Sequence, residues 1–176
     1  AECHDHPFES WTQSQFWGLA AFYGPTTRTL EGALFFEHAT GRGARVMHPR
    51  LKTEVEPRFV SGETIGDKAN TAPRRRFAEW MTRPGNPFFA RSIVNRVWSY
   101  FFGRGFVDPV DDFKDTNPPT HPELLDALAR DFEEHGYDLK HLMRRITRSR
   151  TYQTSGTANA TNGNDKLNFS RSLPRR

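Results

Sequence analysis

The chain opens with Ala1-Glu2-Cys3-His4-Asp5-His6-Pro7-Phe8, and the types and spacing of these residues allow cofactor chemistry. Haem of the c type is attached at C-x-x-C-H, where two thiols add across vinyl groups and the next histidine ligates the iron. The second Cys and the His of that string are present as Cys3 and His4, and the first Cys would fall one residue before Ala1. Cys3 is therefore a candidate thioether anchor and His4 a candidate axial ligand. The same residues allow a second chemistry. Cys3, His4 and His6 are candidate ligands of zinc or iron, a site that needs four ligands and partners that hold the imidazoles. His38 and His48 are available to complete it, and Met47 and Met81 are, by residue type, candidates for a sixth haem ligand. The plainer alternative is a structural thiol beside a surface imidazole, with His6-Pro7 a stiff turn. On residues alone, all three remain open.

Two further constellations carry charge. The stretch Asp108-Pro109-Val110-Asp111-Asp112-Phe113-Lys114-Asp115 holds paired carboxylates, which do general acid–base work where one of them stays protonated. Its spacing does not match a calcium loop, since no Gly and no distal Glu follow in register. Turn and cap carboxylates paired with Arg96, Arg104 or Lys114 are the favoured reading. The basic runs are Arg74-Arg75-Arg76 and the group Lys140, Arg144, Arg145, Arg148 and Arg150. The second group falls on one helix, opposite its Leu/Ile stripe. Arg144, Arg145 and Arg148 are the candidate anion-binding residues, for phosphate or acidic polysaccharide. The alternative is a solvated helix face whose arginines suit the C-terminal end of the helix dipole. No Ser/His/Asp array, phosphate-binding Gly loop or dinucleotide fingerprint is evident.

The elements that must position these groups are legible in part. Phe16, Leu19, Ala20 and Tyr23 recur at helical spacing over residues 12–23, with Thr12 as cap and Gly24-Pro25 as the stop. Residues 28–66 hold no helical stripe. Ala33–His38 and Ala44–His48 flank Thr40-Gly41-Arg42-Gly43, which reads as a hairpin turn, and Lys52–Val55 reads as a third strand. From Pro73 onward the chain reads as helical. Phe77, Trp80 and Met81 share a side of a helix over Pro73–Thr82. Asn86-Pro87 predicts a cap followed by proline at the first helical position, ahead of Phe89, Ile93, Val97 and Phe101 and a stop at Gly103. Thr120-His121-Pro122-Glu123 reads as a capping box, with His121 structural, ahead of Leu124, Leu125, Leu128 and Phe132. Gly136 ends that helix. Asp138 caps a last one with Leu139, Leu142, Met143 and Ile146 inward, and residues 153–170 read as an exposed polar loop. The expected fold is α+β, mostly α: a short N-terminal helix, a small β-hairpin insert, then an antiparallel helical bundle.

Composition bounds the rest. The 176 residues are about one domain's length, and the 15 Phe and 4 Trp exceed what a disordered chain carries. No apolar run approaches the ~20 residues of a membrane span. The net charge of +4 is a mild excess, with acids and bases interleaved, unlike the concentrated basic face of a nucleic-acid binder. The single Cys excludes an internal disulfide. The chain starts at Ala1 with no charged and apolar leader, and we read it as a piece of a longer protein.

Several strings resemble a known family. They are Asn86-Pro87-Phe88-Phe89-Ala90-Arg91, Val94-Asn95-Arg96-Val97-Trp98, Phe102-Gly103-Arg104-Gly105-Phe106-Val107 and Asp111-Asp112-Phe113, followed by Asn117-Pro118-Pro119-Thr120-His121-Pro122-Glu123-Leu124-Leu125-Asp126 and Ser149-Arg150-Thr151-Tyr152-Gln153. Together they resemble a planctomycetal domain-of-unknown-function family associated with planctomycete-type cytochrome c domains. Cys3-His4-Asp5-His6-Pro7-Phe8, Trp11-Thr12-Gln13, His48-Pro49-Arg50 and Pro57-Arg58-Phe59 resemble the end of the companion domain that precedes it, where a C-x-x-C-H string is followed by His-Pro-Phe. The resemblance implies residues 1–60 as the end of the companion domain, 61–72 as a linker and 73–176 as the front of the following helical domain.

What the resemblance implies is an exported, extracytoplasmic protein of unassigned activity, redox-associated, with haem c on Cys3 and His4 and a redox partner. The alternative is a binding or scaffold module for anionic polysaccharide or protein at the cell surface, working through Arg144, Arg145 and Arg148. A hydrolase using the Asp108–Asp115 loop is a third expectation. Nucleic acid is not an expected partner, since export separates the two.

Overall fold

The computed structural model describes residues 2–24, 26–28, 35–37, 45–65 and 72–172. The chain divides into two compact units, residues 1–81 and 82–176. The fold is mostly α with a small β part, as expected.

In the first unit, α1 spans Gln13–Ala20 and continues into a 3-10 turn over Ala21–Tyr23. Thr12 starts the helix because its hydroxyl accepts from Gln15 N at 3.2 Å while the Gln15 side chain accepts from Thr12 N at 2.9 Å. Two orphan donors of the first turn are satisfied reciprocally. Buried Gly18 sits where its carbonyl accepts from Arg58 N at 3.1 Å, and a Cβ there would lie 3.0 Å from the Arg58 Cβ.

Among the described residues four short strands follow: β1 (Thr26–Arg28), β2 (Phe35–Glu37), β3 (Val46–Met47) and β4 (Glu54–Val55). Their pairing differs from the hairpin read in the sequence. β2 falls within Ala33–His38 but pairs antiparallel with β1, and β3 falls within Ala44–His48 but pairs with β4. For β3 the partner is set by the turn between it and β4, where His48 N donates to Thr53 O and Lys52 adopts φ 53°. The Thr40–Gly43 turn and His38 lie outside the described residues.

Helix α2 (Pro73–Met81) closes the unit. Trp80 stacks on Phe59 at 5.1 Å between ring centroids, and Phe22 lies 4.9 Å from Phe59 and 5.2 Å from Phe77. This aromatic cluster is the unit's core. The helix expected to begin the bundle thus packs with the N-terminal elements.

The second unit is three helices, α3 (Phe89–Phe102), α4 (Pro122–Glu134) and α5 (Leu139–Thr147), packed around Val94, Trp98, Leu125, Phe132, Leu142 and Ile146. Gly103 and Gly136 end α3 and α4 with φ 80° and 63°, backbone that favours glycine. Asp138 caps α5, accepting from Lys140 N at 2.7 Å and His141 N at 3.2 Å. The other two helix starts differ from expectation. Asn86 uses its side chain in a turn, with Oδ1 accepting from Phe88 N and Phe89 N, so α3 begins two residues later than the Asn-Pro pair predicts. The capping box at Thr120–Glu123 does not form. His121 occupies the cap without capping, and the Thr120 hydroxyl turns to the His121 ring at 3.1 Å. Leu139 and Met143, expected inward, are 46% and 40% exposed. α5 is a short helix resting on two helices, so Leu142 and Ile146 suffice to fill the contact.

The connection from α3 to α4 is bolted to α3 by one amide. Asn95 is fully buried. Its Nδ2 donates to Val107 O and Val110 O, each at 2.9 Å, and its Oδ1 accepts from Val107 N at 3.0 Å. Gly105 lies against this amide, where a Cβ would stand 2.4 Å from Val107 O and 2.6 Å from Asn95 Oδ1. Residues 153–170 are exposed for most of their length, but Phe169 turns in to meet Trp98, Phe102 and Phe106 at 5.3–5.8 Å. Asp165 shapes that segment, accepting from Leu167 N, Asn168 N and Ser170 N and from the Ser170 hydroxyl.

Two consequences are measurable. Asn95→Ala leaves the buried N–H and C=O of Val107 without partners, and should cost about 3 kcal/mol in urea unfolding of the second unit. Asp165 and Asp138 both titrate below the usual carboxylate range, Asp165 chiefly through the Ser170 hydroxyl and Asp138 chiefly through His141 N. A depressed folded-state value means that the unfolded chain binds more protons, so this stability is present above about pH 4 and is lost on acidification below it. Asp138→Asn together with Asp165→Asn should give a shallower acid limb in a pH series of melting temperatures.

Candidate functional site

The residues singled out in the sequence fall in different places. Cys3 is a free, exposed thiol. His4 beside it is exposed, with Nδ1 2.6 Å from the Asp5 carbonyl. His6 Nδ1 accepts from Phe8 N at 3.3 Å, as a stiff turn requires. The ligating atoms of Cys3, His4 and His6 do not converge as a threesome among the described residues. His48 is buried beside Trp17, with rings 5.6 Å apart, and its Nδ1 accepts from Arg50 N and Leu51 N. That nitrogen therefore serves the turn between β3 and β4.

In the acidic loop two carboxylates have cationic partners. Asp111 pairs with Arg96 of α3, while Asp112 pairs with Lys114 at 2.8 Å and its carbonyl accepts from Asn117 Nδ2 at 3.0 Å. These are turn carboxylates with cationic or amide partners, the arrangement the favoured reading of the sequence describes.

The basic residues of α5 do come together. The amphipathic spacing of α5 buries Leu142 and Ile146 and leaves Arg144 and Arg145 exposed; the helix stops before Arg148 and Arg150, which the sequence reading placed on it, and Arg148 is its exposed C-cap residue. Arg144, Arg145 and Arg148 line an open cleft of about 430 Å³ beside α4. Leu124, Leu128, Ile146 and Trp98 supply its apolar lining. Leu124 is 40% exposed although it belongs to the helix stripe, because it borders this cleft instead of the core. The arginines differ in their pairing. Arg145 Nε lies 3.6 Å from Asp131 Oδ2, whereas Arg148 has no ion-pair partner among the described residues. Arg144 and Arg145 stand in the last turn of α5, where the helix dipole offsets part of their mutual repulsion.

A second cluster adjoins the cleft and was not singled out in the sequence. Asp131, in the last turns of α4, is flanked by His135, one helical turn on, and by His141 of α5. His141 Nε2 is 2.8 Å from Asp131 Oδ2, and His135 Nδ1 is 3.6 Å from Asp131 Oδ1. The two imidazoles stack at 3.7 Å with planes 12° apart. The signal for it is Asp131-x-x-x-His135 at helical spacing, followed by a tight turn at Gly136. The third member depends on how that turn folds α5 back.

Fold and site together define a helical module with a basic, partly apolar cleft. Residues 73–176 match the family described as PSD1: Protein of unknown function (DUF1553), and the chain belongs to that family. No curated protein and no solved structure matches the chain. Among the described residues, no helix is long and apolar enough to cross a membrane.

The exposed side of α5 should contribute little to folding stability. Arg148→Ala should leave the urea midpoint within about 0.5 kcal/mol of the parent, as expected of a surface position away from buried contacts; Leu142→Ala should lose about 3 kcal/mol in the same measurement.

Proposed function

We propose that the chain is an extracytoplasmic binding module for anionic polysaccharide, and that the cleft between α4 and α5 receives the ligand. The observation that carries this is the convergence of Arg144, Arg145 and Arg148 on one open cleft with an apolar lining. Guanidinium groups recognise carboxylate and sulfate through paired, charge-assisted hydrogen bonds. The apolar lining suits the C–H face of a sugar ring, which an inorganic anion or an extended phosphate backbone does not offer. Arg148 binds without first surrendering a carboxylate, while Arg145 gives up Asp131. The extracytoplasmic part of this reading rests on the resemblance of the chain's motifs to exported planctomycetal proteins.

Titration of the full chain with a sulfated or uronate polysaccharide tests this. Binding should weaken steeply with salt and fall by about tenfold or more in Arg144→Ala/Arg148→Ala, since each charge-assisted contact contributes about 1.5–3 kcal/mol. A neutral polysaccharide should not bind. Salt-insensitive binding, or an unchanged affinity in the double variant, would overturn the proposal.

Haem attachment is a second reading, favoured by the geometry at His4. Donation from Nδ1 to the Asp5 carbonyl fixes the tautomer that leaves Nε2 free for a metal. The residues present fit the group in part: they supply one thioether sulfur, Cys3, and one axial imidazole, His4. Bound haem would supply one-electron transfer to a redox partner. The test is expression of the parent polypeptide with haem-attachment machinery. A Soret band lost in His4→Ala supports the reading, and a colourless product overturns it.

A further inference from the structure

We propose that Asp131, His135 and His141 form a binding site for one divalent cation of the imidazole-seeking kind, Zn²⁺, Co²⁺, Ni²⁺ or Cu²⁺. Their ligating atoms all lie within 4.8 Å of one another. Two imidazole nitrogens flank the two oxygens of a single carboxylate, at 2.8 and 3.6 Å. Two nitrogens with one oxygen suit zinc and its neighbours, whereas magnesium and calcium select all-oxygen shells. Three protein donors leave room for water to complete a tetrahedron.

The backbone fixes the three positions independently of any metal. Asp131 stands in the last turn of α4, and His135, four residues on, is the residue that caps its end. The chain then reverses through Gly136 and Tyr137, with φ 63° and 62°, and the Asp138 cap sets His141 in the first turn of α5. Asp131 and His141 side chains are 22% exposed, and that of His135 is 47% exposed. The carboxylate and one imidazole are thus held, and the third ligand can move.

Movement is required. A cation lies in the plane of each imidazole that binds it, and two parallel rings 3.7 Å apart cannot share one ion. Turning His135 about its side-chain bonds breaks the stack and frees Nδ1 from the Asp131 carbonyl, 2.7 Å away. Arg145, 3.6 Å from Asp131 Oδ2, competes for the same carboxylate and is repelled by an incoming dication.

The probe is the metal alone, so the outcome does not depend on the polysaccharide proposal. Zn²⁺ titrated calorimetrically into the full chain at neutral pH should bind one per chain. Affinity should fall by about tenfold or more in His135→Gln and in His141→Gln, and rise in Arg145→Gln. Co²⁺ should give visible d–d bands that His135→Gln abolishes. Circular dichroism of His135→Gln, an exposed position, confirms that the fold is kept. Cys3→Ser/His4→Gln/His6→Gln should retain the site. Absence of Zn²⁺ binding, unchanged affinity in His135→Gln, or loss of binding in the N-terminal triple variant would each overturn the proposal.

Discussion

The second unit depends on one buried amide. Asn95 holds the backbone of Val107 and Val110, in the connection that leads to α4, against α3. Asn95 has zero exposure, and an apolar side chain in its place would leave the buried Val107 groups unpaired. Gly105 belongs to the same device, because only a residue without Cβ lets the loop lie so close. Phe106 then reaches Trp98 at 4.4 Å, and Trp98 lines the basic cleft. Loop, core and cleft are therefore linked through adjacent side chains of a single helix.

Charge on α4 and α5 is divided between two tasks. The arginines at the exposed side of α5 face an open cleft, while Asp131 and its two imidazoles occupy the junction with α4. Arg145 and His141 belong to both places: each contacts Asp131 and each lines the cleft. A cation at Asp131 would release Arg145 to the cleft, so occupancy of one place bears on the charge available at the other.

How much of this was legible in the sequence varies with the range of the interaction. Thr12, Gly103, Gly136 and Asp138 act within one turn of their own position, and the sequence shows each of them. Asn86 and Thr120 also act locally, but each has more than one partner within reach, and the partner chosen shifted the start of α3 and emptied the capping box at α4. Strand pairing was less legible. Strands of two or three residues carry too little pattern to choose a partner. The arginines of the cleft could be read from helical spacing, but the apolar lining from Leu124 and Leu128 belongs to another helix. The Asp131 cluster was legible only as the Asp131 and His135 pair for the same reason: its third member, His141, arrives across a turn.

The most direct test of the central claim, that the arginines of α5 act as one anion-binding surface, is side-chain NMR of the full chain during titration with an acidic oligosaccharide. The Nε–Hε signals of Arg144, Arg145 and Arg148 should shift together, accompanied by the methyls of Leu124 and Leu128. Shifts scattered over arginines outside the cleft, such as Arg91 and Arg150, with those leucine methyls unmoved, would contradict the account.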